Sequence, residues 1–595
     1  MINKSILIEA FQLLDKSERK GAFVLVTLIC LAGVCEFIAL SSLMFVVSNI
    51  TNPTGQVENK IFDYVSIIFS NVSHVNFVLY AIIFTIFALI LVYSFNLFIS
   101  HSCERYGASI QARMGNHLMN GILKIPYEWH LNKNKAELVR FFHSDISRWG
   151  RDFIMRILLM SQHIVGLIIP LLLLLIISPI GGASGVLVTS AMGYALMRKL
   201  KPKLEETAQV SHDSTKEFVR LSDFVVKGVR DIKLTNIEGE MAEKFSSQFD
   251  ISAQSQASMN FWRNLQSSAP MLIGQLVMLS LAFALILSDV PNANVASILA
   301  LVAIVAFRVM PAFNRFWSLY SSMYTVIPWV KGVINTYKEL NRNSITSNYG
   351  QHTKKNRYIW EEISFTDVSY KYPGSDQNAL NGISLKITRG KKYGVIGKSG
   401  SGKSTFLDIL SGLYSPTDGA IRVDGKIIRA NFLSELNLAY VSQAPEMLDG
   451  EIWENVALGV KWEEVDKSHL RKVLSMADIC EFVDGLAKGI HTKIGYQGVS
   501  MSGGQLQRLS IARALYTKPS LLVLDEATSN LDYNSEEAIK ETLYNLGEGM
   551  TLIIVAHNWE TVRECDEIYL VDSGEKKDEG SLDELKTRNR DFFGE

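Results

Sequence analysis

Long apolar runs with very few charged residues dominate the first half of the chain. Residues 21–50 contain one charged side chain, Glu36, and residues 75–100 contain none. No Asp, Glu, Lys or Arg occurs in residues 157–197, where Pro179 and the glycines after it favour a turn near the middle. A helix of about 20 apolar residues is long enough to cross the hydrocarbon core of a bilayer. The pattern therefore predicts two membrane spans in the first two runs and two more in the third.

Two further apolar runs follow, separated by the short polar segment 289–294. We therefore predict an all-α transmembrane domain in residues 21–330 that contains six spans. The predicted spans cover residues 21–50, 75–100, 154–178, 179–200, 265–288 and 290–320. The first run is too long for the apolar part of a signal peptide and lacks a small-residue cleavage site, so we interpret it as retained in the mature protein.

Positively charged residues between the spans indicate which side of the membrane each loop faces. Residues 101–153 and 198–263 are rich in Lys and Arg, whereas the turns after the third and fifth spans carry neither. Because cytoplasmic loops carry the Lys and Arg excess, both basic loops and both chain termini are predicted to be cytoplasmic. Residues 1–20 combine apolar and basic positions, which favours an interfacial amphipathic helix; a disordered leader is the alternative.

The rest of the chain has the composition of an ordinary soluble domain. We predict a linker at 331–357 and an α/β domain at 358–595. Over the whole chain, a hydrophobic content of 48% excludes disorder, and 59 Lys and Arg against 60 Asp and Glu give no support for nucleic-acid binding. The five cysteines are odd in number and unevenly spaced, so they indicate neither a disulfide framework nor a metal site.

A glycine-rich segment of this second domain matches the pattern of a phosphate-binding loop. It follows the apolar strand 392–396 and precedes the helical residues 405–410. Glycines let backbone N–H groups approach phosphate oxygens, and a helix N-terminus favours anions. Lys403 is expected to reach the β and γ phosphates, and Ser404 to contact Mg²⁺. A flexible Gly/Ser linker is the alternative. The predicted nucleotide-binding residues of the loop are Gly397, Ser399, Gly400, Ser401, Gly402, Lys403, Ser404 and Thr405.

Two carboxylates close the apolar strand 521–525. Asp525 is predicted to hold the water shell of the metal, and Glu526 to polarise the attacking water. The pair is a weak signal by itself. Phosphoryl transfer depends on positioning and charge neutralisation, so its location in the same domain as the phosphate-binding loop strengthens the interpretation.

A second glycine turn precedes the predicted helix 506–516 and suits another phosphate at its N-terminus. It consists of Ser502, Gly503, Gly504 and Gln505. The phosphate-binding loop, this turn and the Asp-Glu strand occur in the order and spacing of ATP-binding cassette (ABC) proteins. Residues 360–580 resemble that family, which implies an α/β cassette domain that binds ATP and Mg²⁺.

The resemblance implies roles for four further positions. Tyr372 resembles the aromatic residue that stacks on adenine, and Gln443 resembles the glutamine that senses Mg²⁺ and the membrane domain. His557 resembles the histidine that contacts the γ-phosphate, and Asp532 lies in a segment similar to the loop that communicates across the cassette dimer. For each residue alone, a structural role is the alternative. The predicted catalytic residues are Lys403, Gln443, Glu526 and His557, and the predicted metal-binding residues are Ser404, Gln443 and Asp525.

The resemblance also implies a dimer. In this family an ATP lies between the phosphate-binding loop of one cassette and the serine-glycine turn of another, and the chain carries one of each. Two identical chains or one chain with a degenerate partner both satisfy this requirement. Six spans ahead of one cassette resemble exporter-type half-transporters. Residues 127–137 and 224–234, at the tips of the cytoplasmic loops, are candidates for coupling to the cassettes, and solvated loops are the alternative.

Three charged residues in or near the predicted spans are candidate substrate contacts: Glu36, Arg263 and Arg308. A charge at mid-membrane costs ~2.5–3.5 kcal/mol on insertion scales, which apolar neighbours can offset, so location alone does not establish a function. Residues 35–37 and 308–315 resemble those of bacterial lipid-linked oligosaccharide flippases, which implies a polyprenyl-pyrophosphate glycan as substrate and the inner membrane as location. The alternatives are a lipopolysaccharide precursor, a peptide or a hydrophobic drug and, in a different class, an ATP-gated channel or regulator.

Overall fold

The chain forms two compact units. The computed structural model describes residues 4–51, 74–131, 133, 135–177, 179–287, 309–346, 359–428, 436–495, 498–526, 537, 541, 544, 549–556 and 559–593. The first unit comprises Met1–Ile125 and Asn132–Ser347, and the second comprises Pro126–Leu131 and Asn348–Glu595. The short segment Pro126–Leu131 of the first basic loop therefore belongs to the second unit.

The first unit is built from α-helices and two π-helical segments. Its helices are α1 (Lys4–Gln12), α2 (Lys16–Thr51), α3 (His74–Lys124), α5 (Lys135–Arg140), α6 (Met155–Ile177), α7 (Pro179–Lys227), α8 (Val229–Thr235), α9 (Glu238–Leu287), α10 (309–324) and α11 (Ile327–Thr346). The π-helical segments, Phe141–Asp145 and Arg148–Ile154, lie between α5 and α6. Helix α4 (Tyr127–Leu131) is part of the second unit.

Several of these helices are apolar enough to cross a membrane. Within the described residues, three helical stretches meet that requirement by length and composition: Lys16–Val47, Val78–Lys124 and Glu137–Pro170. They contain most of the first three predicted spans. The fourth and fifth predicted spans fall in α7 and α9, and most of the sixth, like the outer segments 52–73 and 288–294, lies outside the described residues. The total of six spans stays a prediction.

The longest helices extend far beyond a bilayer. Helix α3 has 51 residues, α7 has 49 and α9 has 50. At 1.5 Å per residue each is roughly 75 Å long, whereas the hydrocarbon core is about 30 Å thick. The basic loops predicted between the spans are therefore largely helical extensions of them.

Close packing joins α2 to its neighbours α3 and α6. Ile29 and Ala32 on α2 lie in one buried cluster with Ile99 and Cys103 on α3. A Cβ atom on Gly33 would lie 2.3 Å from Cγ1 of Val165 on α6, so a larger residue cannot replace this glycine without movement of the helices.

The sequence prediction treated residues 331–357 as a linker, but the first part of this segment is helical and belongs to α11. Helix α11 continues to Thr346 within the first unit. Its residues Val330, Val333, Ile334 and Leu340 are buried. Their spacing is that of a single helix face, so burial of this face stabilises a helix where the polar composition suggested a connection.

The described residues of the second unit form three sheets. A six-stranded sheet has the order β12-β11-β3-β10-β9-β6, in which β12 alone is antiparallel, and a four-stranded antiparallel sheet has the order β2-β1-β4-β5. Strands β7 and β8 form a third, two-stranded sheet. The strands are β1 (Glu362–Tyr370), β2 (Leu380–Thr388), β3 (Lys392–Ile396), β4 (Asp418–Val423), β5 (Lys426–Ile427), β6 (Leu438–Val441), β7 (Gly450–Glu451), β8 (Lys493–Ile494), β9 (Leu521–Asp525), β10 (Thr551–Val555), β11 (Glu567–Asp572) and β12 (Glu575–Gly580).

Helices pack on the parallel sheet and form two hydrophobic cores. Alternate residues of β9 point to opposite faces, so Leu522 and Leu524 join one core while Leu521 and Val523 join the other. The helices are α12 (Lys403–Leu410), α13 (Ile452–Val456), α14 (Lys467–Met476), α15 (Cys480–Asp484), α16 (Gly503–Tyr516), α17 (Leu582–Arg588) and α18 (Arg590–Phe593). The predicted fold class, a helical membrane domain followed by an α/β domain, is confirmed.

Candidate nucleotide-binding site

The phosphate-binding loop connects strand β3 to helix α12 and lies beyond the carboxyl end of that strand. Strand β3 pairs with β10 on one side and β11 on the other. The backbone turns into the helix at Gly402, which has φ +103°, a conformation that L side chains rarely adopt. A Cβ atom on Gly397 would lie only 2.1 Å from the carbonyl oxygen of Val571. The sequence thus places glycine where the loop turns and where it packs against the neighbouring strand β11.

Lys403 is the first residue of α12 and is buried. Its Nζ donates hydrogen bonds to the carbonyl oxygens of Gly397 (2.8 Å) and Lys398 (3.0 Å). Burial lowers the pKa of the ammonium group, and the carboxylates of Glu526 and Asp525 act in the opposite direction. The loop therefore folds around a cation that is already held at the centre of the site.

A cleft of about 1020 Å³ opens above this loop. Two turns that the sequence prediction missed form part of its wall: the residues before β2, such as Asn378, and the β11–β12 turn with Ser573 and Gly574. The Gly574 N–H donates to the Ser401 carbonyl at 2.9 Å. The predicted residues that line the cleft are Tyr372, Ser399, Gly400, Ser401, Gly402, Lys403, Ser404, Thr405, Gln443 and Glu526.

Glu526 lies at the end of β9 in a left-handed conformation with φ +50°. Its backbone N–H donates to the Val555 carbonyl of the adjacent strand at 3.0 Å. Gln443 Nε2 donates to Glu526 Oε2 at 2.6 Å. The structure thus brings together two residues that are 83 positions apart in the sequence, and it fixes the carboxylate against an amide at the cleft.

Asp525 precedes Glu526 but does not line the cleft. The Tyr440 hydroxyl donates a hydrogen bond to Asp525 Oδ2 at 2.7 Å. Asp408, on α12, is a second acidic neighbour, and burial followed by the charge of Asp525 raises the pKa of its carboxyl group to about 6. Two acidic groups therefore lie close together below the phosphate-binding loop, and the sequence motifs indicated only one of them.

Tyr372 stands at the side of the cleft and is half-buried. Its hydroxyl group and Thr405 Oγ1 are 3.0 Å apart and share a hydrogen bond. Its ring is nearly perpendicular to the rings of Tyr370 and Tyr414, with interplanar angles of 85° and 84°. The predicted adenine-stacking residue is thus anchored to the first turn of α12 and to two further tyrosines.

The serine-glycine turn lies outside this cleft. Ser502 is the N-cap of α16, and its Oγ accepts a hydrogen bond from the Gln505 N–H at 3.2 Å while Gln505 Oε1 accepts one from the Ser502 N–H at 2.9 Å. Ser502 and Gly503 are exposed, and a Cβ atom on Gly503 would meet no atom within 4 Å. The turn is formed and accessible within a single chain, but the chain does not bring it to its own phosphate-binding loop.

Some predicted site residues cannot be located. His557, Asp532 and Arg308 lie outside the described residues, and for Arg263 only its position within α9 is described. Their predicted roles therefore stay predictions.

The site has features that suit a nucleotide with its metal. The Ser401 hydroxyl is buried and has no hydrogen-bond partner within the protein part that the structure describes. The Ser404 hydroxyl and the Gln443 amide line the cleft. Asp525 precedes the cleft residue Glu526 and accepts a hydrogen bond from Tyr440. Hydroxyl, amide and carboxylate oxygens are the ligand types that Mg²⁺ accepts.

A second cavity, of about 940 Å³, lies in the first unit. Its walls come from α2, α3, α6 and α10, and they are mostly apolar. Glu36 lines this cavity, so one of the three candidate substrate residues is at a space that a ligand could enter. Gln162 Nε2 on α6 donates to Asn96 Oδ1 on α3 at 2.8 Å, and both residues line the cavity. The polar residues around the cavity are Glu36, Tyr93, Asn96, Gln162, His163 and Arg315.

Comparisons with known proteins match segments of both units. The family model described as the ABC transporter transmembrane region matches residues 27–311, and the model described as ABC transporter matches residues 380–529. The structure of a bacterial Atm1-family ABC exporter with ATP bound shares the fold with a TM-score of 0.74 at 20% identity, covering 97% of this chain and 98% of that chain.

Among curated relatives, an ATP-dependent lipid A-core flippase of Mannheimia succiniciproducens is 33% identical over 50% of the chain and 54% of its own length. A flippase of the same name from Vibrio parahaemolyticus is 32% identical over 51% and 54%. An ABC-type transmembrane transporter of Clonostachys rogersoniana is 39% identical over 39% of the chain and 19% of its own length. The chain thus spans about half the length of the flippases and less of the third relative. Because the two family models together match most of the chain, it belongs to the ABC transporter family, with a transmembrane region followed by an ATPase domain.

Proposed function

We propose that the protein is an ATP-driven exporter that moves an amphipathic lipid substrate across a bacterial inner membrane by alternating access. The observation that carries the proposal is the cleft in which Lys403, Gln443 and Glu526 meet, within a chain that also carries apolar membrane helices. Closure of two cassettes on ATP would favour one orientation of the membrane helices, and hydrolysis would return them to the other. Both termini are cytoplasmic in this arrangement.

ATP hydrolysis in this proposal uses residues that line or underlie the cleft. Lys403 and the loop N–H groups bind the phosphates, and Tyr372 stacks on the adenine. Glu526 polarises the attacking water, and Gln443 holds the carboxylate in position through the 2.6 Å hydrogen bond. Ser404, Gln443 and Asp525 would hold Mg²⁺, which would neutralise phosphate charge when bound. His557 and Asp532 keep the roles that the family resemblance implies.

We propose a homodimer because one chain leaves its serine-glycine turn unused. Ser502, Gly503, Gly504 and Gln505 are formed as a helix N-terminus, and none of them lines the cleft of the same chain. A helix N-terminus with free space above it suits a phosphate group. A second identical chain would supply this turn to each cleft, which gives two equivalent ATP sites.

The cavity in the first unit supports an amphipathic substrate. Apolar walls suit lipid tails, whereas Arg315 and His163 supply donors for a phosphorylated head group. The relatives named as lipid A-core flippases also favour a lipid that carries phosphates and sugars. We therefore propose a lipid-linked oligosaccharide as substrate, with Glu36, Arg263 and Arg308 as further contacts, and a lipopolysaccharide precursor as the second candidate.

The test is transport by purified protein in proteoliposomes. Labelled polyprenyl-pyrophosphate glycan and a labelled lipid A-core precursor would be incorporated in separate preparations, with ATP added to the cassette side. We expect ATP-dependent movement of the glycan lipid, and no movement with Glu526→Gln. Movement of the lipid A-core precursor alone would replace the substrate proposal. Ionic current without sustained ATP hydrolysis would overturn the exporter proposal in favour of a channel.

A further inference from the structure

A short segment of the first basic loop sits on the second unit at a cluster of tyrosines. Helix α4 lies within Pro126–Leu131, which belongs to that unit. The Tyr127 ring centroid is 6.0 Å from that of Tyr414. The Tyr370 hydroxyl donates to Glu128 Oε1 at 3.5 Å, although the two residues are 242 positions apart. We refer to Pro126–Leu131 as the docking segment.

The tyrosines continue from the docking segment to the nucleotide cleft. Tyr370 and Tyr414 are buried and stacked, with centroids 4.9 Å apart and an interplanar angle of 13°. Tyr372 packs against both of them, at 5.1 Å and 5.8 Å. Its hydroxyl group shares a 3.0 Å hydrogen bond with Thr405 at the start of α12. We define Tyr127, Tyr370, Tyr372 and Tyr414 as the tyrosine cluster.

We propose that the tyrosine cluster is a positioning device in which the docking segment, through Tyr370 and Tyr414, holds the Tyr372 ring in the orientation that accepts adenine. This inference rests on the proposed use of ATP and adds a dependence of nucleotide affinity on a segment far from the phosphates. Tyr370 and Tyr414 are positioning residues, since neither lines the cleft.

Close packing makes the cluster suitable for this role. Buried rings fill discrete positions and do not deform continuously, so displacement of one ring displaces its neighbours. Burial, followed by the charge of Glu128, raises the pKa of the Tyr370 hydroxyl, which therefore remains a donor at neutral pH. Coupling of this kind is reciprocal at equilibrium, so adenine bound on Tyr372 also stabilises the docked segment.

Substitutions at both ends of one hydrogen bond test the proposal. We expect Tyr370→Phe and Glu128→Ala each to raise the KM for ATP about threefold to tenfold, the effect of one part-buried hydrogen bond, with kcat changed less than about twofold. Glu128→Gln keeps an acceptor oxygen and should restore the wild-type KM. Glu481→Gln, on the exposed side of α15, is the control and should leave both constants unchanged.

A second measurement separates positioning from general destabilisation. Tyr372→Leu removes the adenine-stacking ring, so Tyr370→Phe should add no further change in KM when the two are combined. Independent effects on KM in the double variant would overturn the inference. An unchanged KM in both Tyr370→Phe and Glu128→Ala would also overturn it. Neither result affects the proposed function as long as the wild-type protein hydrolyses ATP. Thermal unfolding of each variant shows whether a changed KM accompanies a loss of fold. Absence of ATP hydrolysis in the wild-type protein would instead overturn the proposed function.

Discussion

The nucleotide cleft and the membrane cavity have similar sizes and very different walls. The cleft has a volume of about 1020 Å³, and the cavity one of about 940 Å³. The cleft is built from backbone turns at Gly400, Gly402 and Gly574 together with polar side chains. The cavity is lined by apolar side chains of four helices with a few polar groups between them.

The difference reflects what each ligand requires. A triphosphate requires backbone N–H groups at close approach, a cation and a metal-binding oxygen, which few residue types supply. An apolar chain requires only a space without unpaired polar groups, which many combinations of Leu, Ile, Val and Ala supply. Substitutions in the two regions should therefore affect different quantities and by different amounts.

The largest effect is expected from Glu526→Gln in the nucleotide cleft. The Gln amide oxygen can still accept the hydrogen bond from Gln443, so the geometry and ATP binding should persist. Loss of the charged group should lower ATP turnover about 10²–10⁴-fold, the usual contribution of a positioned acid–base group. Phosphate release measures this effect, with Glu481→Gln as the control. Turnover close to that of the wild-type protein would exclude Glu526 as the catalytic base.

In the membrane cavity, Arg315→Ala should weaken substrate binding and leave basal hydrolysis unchanged. Loss of hydrogen bonds to a charged group is expected to raise the substrate concentration for half-maximal ATPase stimulation about tenfold or more. Arg105→Ala removes an exposed arginine of α3 that does not line the cavity, and it is the control. An equal shift in both variants, or a loss of basal hydrolysis, would remove Arg315 from the substrate site.

A smaller effect, on stability, is expected from alanine substitutions at two glycines of the phosphate-binding loop. A Cβ atom on Gly402 would lie 2.7 Å from the Ala379 carbonyl, whereas one on Gly400, with φ +78°, would meet no atom within 4 Å. Gly400→Ala should cost about 1–2 kcal/mol from backbone strain alone, and Gly402→Ala should cost more. Thermal unfolding without nucleotide measures the difference. Equal destabilisation would mean that the contact at Gly402 relaxes without cost.

The last comparison concerns Asp408 below the loop, whose effect is confined to a range of pH. Its pKa in the folded protein is about 6, above the ordinary value of 3.8, so the folded state binds a proton more tightly than the unfolded chain. Stability from this group is present at low pH and is lost as the pH rises from about 4 to 6. Asp408→Asn should therefore reduce the fall in unfolding temperature over this interval. The exposed Asp418→Asn is the control, and an identical pH profile in Asp408→Asn and wild-type protein would contradict the shift.

The nucleotide cleft was largely predictable from the sequence because its chemistry restricts residue types. The loop at 397–405 and the acidic end of β9 lie together as their spacing indicated. Asn378 and Ser573 were not predicted as cleft residues. They belong to turns that come close to the phosphate-binding loop only because strands distant in the sequence pair with each other.

The membrane region was predictable as helices but not as a site. Hydrophobicity indicated the first three long apolar stretches. Hydrophobicity did not distinguish Arg315, which lines the cavity, from the other arginines near the spans. The sequence of a helix does not show which neighbouring helix each of its faces contacts. The docking segment was a candidate for coupling by its place in the loop, yet its contact with Tyr370 depends on folding of the complete chain.

The closed capping box at Ser502 and Gln505 has a consequence for assembly of the proposed dimer. Both hydrogen bonds exist before any second chain arrives, so the turn enters the interface with its conformation already selected. Little conformational entropy then remains to be lost there when two chains meet. Separation of two such chains would likewise require no unfolding of this turn.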